Sequence, residues 1–272
     1  MEVLLVGPGR AGLALSLRMV AAGHRIVAVL ARDAAAASAA ADRLDSVTAS
    51  WEEPLPPADL LLVSVRDDAI TEVGGRLAPI AGGVEGAVHL SGLAPASALS
   101  ALTPAGLAIG SFHPLQTLPT PEAGAERLEG AWVGVTTNDD LLADRLFSLA
   151  SSLGMRPFHL DGDAKALYHA AAAAAANYPL AALSMAERLF EESGVPFAAA
   201  GPLIEAVVGN ALAMGPQNAL TGPIARGDVG TVRSQVAAVR LATPDIAADF
   251  EAMVRVTARV AGTAEVMESA LQ

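Results

Sequence analysis

Cysteine is absent from all 272 residues. That excludes disulfides, cysteine-ligated zinc, iron–sulfur clusters and a thiol nucleophile. Basic residues are scarce, with 17 Lys+Arg against 29 Asp+Glu and a formal net charge of −12. A duplex-binding protein needs a basic face, so no nucleic-acid partner is expected. The same charge disfavours an anionic membrane surface. Aromatics make up 4% and charged residues 17%, whereas apolar residues reach 53%. This balance excludes a disordered chain. A clean membrane-length run is also missing. The apolar stretch Ala166–Met185 is interrupted by Tyr168, His169, Asn177 and Pro179, and a span needs about 20 predominantly apolar residues. It reads as a buried helix of a soluble protein. The N-terminus opens directly on the strand pattern Glu2–Val6 with no basic region, so no export signal is read and a cytoplasmic location is expected.

What is present is organised. Short apolar runs at Val3–Val6, Ile26–Leu30, Leu60–Val65, Ala87–Leu90, Leu107–Ile109, Trp132–Val135 and Arg156–His159 alternate with helical patterns. The helical patterns fall at Ala11–Ala21, Ala34–Leu44, Ala69–Leu77 and Leu141–Leu153. Continuous Val/Ile/Leu runs mark strands buried on both faces, and βα alternation predicts an α/β fold with a doubly wound, mostly parallel sheet. After Leu160 the strand signal ends. Asp163–Glu192, Phe197–Met214, Val229–Leu241 and Pro244–Leu271 read as helices, the first with a bend expected at Pro179. Two domains are expected, residues 1–160 and an all-helical 161–272.

Gly7-Pro8-Gly9-Arg10-Ala11-Gly12 follows the first strand and opens the first helix. This is G-x-G-x-x-G in its required context. The glycines permit a tight turn, a close approach to a pyrophosphate and helix–strand packing, while the helix N-terminus offers free N–H groups to phosphate. The second strand ends in Arg32 rather than an acid, and a guanidinium matches a 2′-phosphate. NADP is therefore expected over NAD, although the neighbouring Asp33 would repel that phosphate if it pointed inward. Ser64-Val65-Arg66-Asp67-Asp68 and Ser91-Gly92 follow later strands at the carboxyl end of the sheet. Ser64, Val65 and Ser91 are expected to line the nicotinamide half of the crevice, with Asp67 or Asp68 capping a helix.

The candidates for chemistry are few. No metal-binding cluster is read. His24, His89 and His159 read as structural, whereas His113 precedes Pro114 after a strand and is a candidate to face the crevice. Lys165 and His169 are i, i+4 on one helix with Tyr168 between them and Asn177 two turns farther. A desolvated lysine has a lowered pKa and serves as an acid. Lys165 is the candidate proton donor; the alternative is a solvated residue of the first helical turn. Arg226, in Thr221–Asp228, is either a carboxylate clamp or a partner of Asp228, itself a candidate helix cap.

These blocks together resemble the Rossmann-like oxidoreductases with a C-terminal helical domain of unknown function. Those proteins are relatives of the 6-phosphogluconate dehydrogenase-like superfamily. The resemblance rests on the glycine motif, Ala31-Arg32, Arg66–Ile70, Ser91-Gly92, His113–Thr117, Lys165–Ala171, Asn177 and Thr221–Asp228. It implies NADP binding, a homodimer built by the helical domain, and a site between the domains. The superfamily includes ketopantoate, pyrroline-5-carboxylate and β-hydroxyacid oxidoreductases and prephenate dehydrogenase. Several members use a helix Lys with an Asn one turn later. Here Lys165 fits the Lys, but His169 stands one turn on and Asn177 lies farther. The implied activity is NADPH-dependent reduction of a small carboxylate-bearing carbonyl compound such as a 2-oxo acid. The proton would come from Lys165, with His169, Asn177 and His113 in the catalytic set and Tyr168 and Arg226 on the substrate. Rival readings are an imine reductase and a non-catalytic NADP sensor.

Overall fold

The structure is a computed structural model that describes residues 1–272. The chain divides into two compact units, Met1–Ala175 and Ala176–Gln272. The first unit is built on an eight-stranded sheet of order β3-β2-β1-β4-β5-β6-β7-β8. The strands are β1 Glu2–Val6, β2 Arg25–Leu30, β3 Val47–Thr48, β4 Ala58–Val63, β5 Val84–His89, β6 Ala108–Pro114, β7 Trp132–Thr137 and β8 Arg156–His159. All neighbours are parallel except β6 and β7, which run antiparallel. The expected mostly parallel, doubly wound sheet is what forms.

Alternation along the strands explains why the runs are apolar throughout. Val3 and Leu5 join one core layer, with Leu60, Leu62 and Val88. Leu4 and Val6 join the opposite layer, with Leu61, Val63 and Ala87. Successive side chains point to opposite faces, and both faces are covered here. One layer packs beneath α1 (Arg10–Ala21), α2 (Ala34–Arg43) and α5 (Asp140–Ser152). The other is covered by α3 (Ile70–Leu77) and a 3-10 segment, Ala96–Ala105. The sequence pattern gave no sign of that segment, of β3, or of the short α4 (Pro121–Arg127). Side-chain caps set three helix starts, since Asp33 accepts from Ala35 N and Ala36 N, Thr120 from Ala123 N, and Asp139 from Leu142 N.

The long helix α6 runs Lys165–Glu192 and continues through Pro179. It starts in the first unit and ends in the second. The second unit adds α7 (Gly201–Met214), α8 (Pro216–Ala219), α9 (Val229–Ala242), α10 (Ala247–Ala261) and α11 (Ala264–Glu268). The single helix expected over Pro244–Leu271 is two, because Gly262 adopts φ +73° and ends α10. The membrane-length criterion also falls elsewhere than expected. Phe197–Met214 is long and apolar enough to cross a membrane, with a mean hydropathy of 1.5.

Candidate active site

The strand order places a topological switch point between β1 and β4, where doubly wound sheets bind ligands. A cavity of about 440 Å³ opens there, lined by Gly7, Pro8, Gly9, Arg32, Trp51, Ser64, Val65, Arg66 and neighbours. The three glycines do different work. A Cβ on Gly7, whose φ is +83°, would lie 2.5 Å from the Ser64 carbonyl oxygen. A Cβ on Gly12 would lie 2.6 Å from the Ser64 Cβ. Both therefore hold β1, α1 and β4 together. A Cβ on Gly9 would meet nothing within 4 Å, so this glycine faces open space. Gly9 is also the N-cap of α1, with no side-chain hydrogen bond to the helix. The first N–H groups of α1, at Arg10, Ala11 and Gly12, are thus offered beside an open cradle of the kind a dinucleotide diphosphate fits.

At the other end of the cavity, Arg32 is exposed and has no carboxylate within ion-pair distance. Asp33 caps α2, so its charge is engaged by the helix N-terminus rather than by the cavity. Trp51 donates its indole N–H to the Ala31 carbonyl at 2.9 Å, and Arg76 lies over its ring. Neither Trp51 nor Arg76 was singled out in the sequence.

The second cluster surrounds Lys165. It is the chain's single lysine, every other basic residue being arginine, and it is only 1% exposed. The solvated alternative for Lys165 is therefore excluded. Its ammonium donates to the Ser111 hydroxyl at 2.8 Å and to the Ser91 carbonyl at 3.1 Å. That leaves one of its three N–H donors unassigned. Burial lowers the Lys165 pKa to about 8, and the Asp67 carboxylate opposes the shift. Asp67 does not cap a helix as expected. It accepts a hydrogen bond from the Ser91 hydroxyl at 2.6 Å, while Asp68 pairs with Arg66. Ser91 in turn accepts from Leu93 N and Ala94 N, which fixes the turn after β5. Ser91 thus carries Lys165 on its carbonyl and is not among the residues that line the cavity at the glycine turn.

His89 sits in register with Ser111 across β5 and β6. Ser91 N donates to its Nδ1, so the ring proton is on Nε2 and goes to the Pro95 carbonyl. Burial pushes its pKa down to about 4. His89 is thus a satisfied core group, as the sequence suggested. His113 Nδ1 lies 2.8 Å from the Tyr168 hydroxyl. Burial first, then the charges of Lys165 and His169, lower His113 to about 4. Burial raises Tyr168 to about 12, so the phenol keeps its proton and is the donor to a neutral imidazole. His169 is exposed, with its ring centroid 6.4 Å from that of His113. Gly92 makes this convergence possible, because a Cβ there would lie 2.8 Å from the His113 ring and 2.9 Å from His169.

The first unit therefore brings together Lys165, Tyr168, His169, His113 and Ser91, and adds Asp67, Ser111 and His89. Asn177 and Arg226 belong to the second unit, and both are exposed. Arg226 forms no ion pair with Asp228, which instead caps α9 through Thr231.

Comparison with known proteins adds the family. Residues 1–114 match the Rossmann-like domain, and residues 131–257 match the domain of unknown function DUF2520. The chain joins a Rossmann-like domain to a DUF2520 domain. That is the pairing the sequence resemblance implied. Among solved structures it is similar to the putative NADP oxidoreductase BF3122 from Bacteroides fragilis, at 22% identity and a TM-score of 0.79, covering 95% of this chain and 98% of that one. Protein TM1727 from Thermotoga maritima matches at 22% identity and a TM-score of 0.72, covering 99% and 100%. The Aspergillus terreus reductive aminase, in complex with NADPH and ethyl levulinate, matches at 17% identity and a TM-score of 0.67, covering 97% and 98%. These likenesses establish the fold. No curated protein matches the sequence.

Proposed function

We propose that the chain is an NADPH-dependent oxidoreductase that reduces a small carboxylate-bearing carbonyl compound, with 2-oxo acids as the leading substrate class. The observation that carries this reading is the buried Lys165 ammonium, held by Ser91 and Ser111 in the same unit as the glycine cradle. A buried ammonium costs stability unless it is paired and hydrogen-bonded, and Lys165 has two neutral acceptors but no ion-pair partner, so a chemical role accounts for its retention. Gly9 and the N-terminus of α1 would take the diphosphate, and Arg32 the 2′-phosphate. Bound there, the cofactor supplies the hydride for carbonyl reduction.

Lys165 supplies the matching proton, since a pKa of about 8 keeps it mostly protonated at neutral pH and still able to release. At 1% exposure it delivers that proton only if the Ser91-Gly92 turn or the start of α6 yields to substrate. Tyr168, hydrogen-bonded to His113, is the half-buried group nearer solvent. It contacts the substrate together with His169. The test is a panel of 2-oxo acids, imines and hydroxy acids assayed with NADPH and NADH on wild type, Lys165→Ala and Tyr168→Phe. The reading requires turnover of an oxo acid with NADPH and its collapse in Lys165→Ala. Persistence of turnover in Lys165→Ala with loss in Tyr168→Phe moves the donor role to the phenol.

A second reading, imine reduction, draws on Asp67. Its exposed carboxylate lies within reach of Ser91, and a negative charge near the reacting centre suits an iminium better than a carbonyl. Turnover of cyclic imines that survives Lys165→Ala would favour it. Binding of NADPH without turnover of any compound would leave a cofactor sensor.

The second unit supports the proposed homodimer. No residue of α7 is buried, although it carries Leu203, Val207, Val208 and Leu212, all more than half exposed. Monomers rarely leave so apolar a face in water. A second copy of the chain is proposed to cover it in a cytoplasmic dimer, and sedimentation of wild type against Leu212→Glu tests this.

A further inference from the structure

The Arg76–Trp51 pair has no role in the function proposed above. Trp51 is half-buried and fastened by its N–H to the carbonyl of Ala31, the residue that precedes Arg32. The Arg76 guanidinium carbon sits 4.0 Å from the indole centroid. Arg76 comes from the last turn of α3 and Arg32 from the turn just after β2. The indole therefore ties two elements together, and both arginines line one cavity with it. Neither arginine has a carboxylate within 4.0 Å, although Glu72 lines the same cavity one helical turn before Arg76. A guanidinium engaged with indole through its face still has its edge N–H groups to give. Two cations with free edges, one held flat by a ring, suit an adenosine bearing a phosphate.

We propose that Arg76, laid on Trp51, is the second reader of the adenosine 2′-phosphate and with Arg32 sets a preference for NADP over NAD. This deepens the nucleotide reading of the same cavity and rests on it. Asp33 does not oppose the assignment, because its carboxylate is turned to the N–H groups of Ala35 and Ala36. Glu72 is the opposing group. If it faces the ribose, it accepts from a free 2′-hydroxyl and favours NAD.

The test is calorimetric and needs no substrate. Dissociation constants are measured for NADP, NAD, 2′,5′-ADP and 5′-AMP on wild type, Arg76→Ala, Arg76→Lys and Trp51→Phe. Wild type is expected to bind 2′,5′-ADP at least about tenfold more tightly than 5′-AMP, as a charge-assisted phosphate contact provides. Arg76→Ala should cut that ratio by about tenfold while changing NAD binding little. Arg76→Lys keeps the charge but not the flat fork, and should fall between. Trp51→Phe keeps a ring under the guanidinium and should retain most of the ratio. An unchanged ratio in Arg76→Ala, or an equal loss for all four ligands, overturns the assignment. A wild type that prefers NAD overturns it in favour of Glu72. Failure of wild type to bind any of the four removes the nucleotide reading itself, a result distinct from failure of the Arg76 variants alone.

Discussion

The Lys165 ammonium meets the Ser111 hydroxyl at 2.8 Å, with Lys165 1% and Ser111 0% exposed. A cation so placed makes stability depend on alkaline pH. The folded-state pKa is about 8 against an ordinary 10.5. Between those values the unfolded chain binds the extra proton, so stability rises with pH. The full effect is roughly 3 kcal/mol, at 1.36 kcal/mol per pKa unit. Tyr168, raised from 10 to about 12, acts in the opposite sense above pH 10. Urea unfolding from pH 8 to 10 should therefore show a gain of roughly 2 kcal/mol in wild type. Lys165→Met should show none of it, and a flat wild-type profile would refute the buried cation.

Acid should act through the histidines. His89 and His113 are both held at about 4, below the ordinary 6.5, chiefly by burial. The unfolded chain then binds protons that the folded chain refuses, and stability falls as pH drops from 6.5 towards 4. Above pH 5 carboxylates contribute little, so that window isolates the imidazoles. His89 alone should cost roughly 1.5 kcal/mol between pH 6.5 and 5. His89→Gln should flatten the profile by that amount. Equal slopes in wild type and variant would show that His89 is not held neutral.

The three glycines of the first turn should separate by kind. Gly7→Ala and Gly12→Ala put a methyl into Ser64 and should destabilise by about 2 kcal/mol or more, as overpacking and a left-handed φ do. Gly9→Ala meets no atom within 4 Å, and its φ of −70° suits any residue. Its melting temperature should stay near wild type while NADPH binding drops about tenfold or more, since each 1.4 kcal/mol is tenfold. A Gly9→Ala protein that binds NADPH as wild type does would remove the diphosphate from that cradle.

Much of this was legible in the sequence. The βα alternation and the glycine spacing are local patterns, and the sheet follows from them. Lys165 with His169 was legible because i, i+4 spacing survives folding. Asp67 was misread as a cap because its partner, Ser91, lies 24 residues away, and only the β4–β5 pairing brings the two turns together. Trp51 and Arg76 were missed for the same reason, since 25 positions separate them in the chain. A chain with a single lysine places a special demand on it, and counting alone would have marked Lys165 before any spacing was considered.

That single lysine also permits a direct test of Asp67. The Lys165 ammonium and the N-terminus are the only amines in the chain, so the Nζ signal of Lys165 is followed by NMR without overlap. Asp67 reaches Lys165 through Ser91, whose hydroxyl donates to Asp67 and whose carbonyl accepts from Lys165. The other titratable neighbours are His89, His113, His169 and Tyr168. The histidines oppose a positive charge if they protonate, and Tyr168 stays neutral below its raised pKa. Asp67 is thus the carboxylate that favours the ammonium. Asp67→Asn keeps a side-chain oxygen for Ser91 to donate to but removes the charge. The Lys165 pKa should then move further down, below about 8. If turnover needs protonated Lys165, the alkaline limb of its pH profile should shift by the same amount. Asp68→Asn is the control, because Asp68 pairs with exposed Arg66. Equal effects of the two substitutions would mean a general surface field. An unmoved Lys165 in Asp67→Asn would mean that Ser91 and Ser111 alone hold the ammonium.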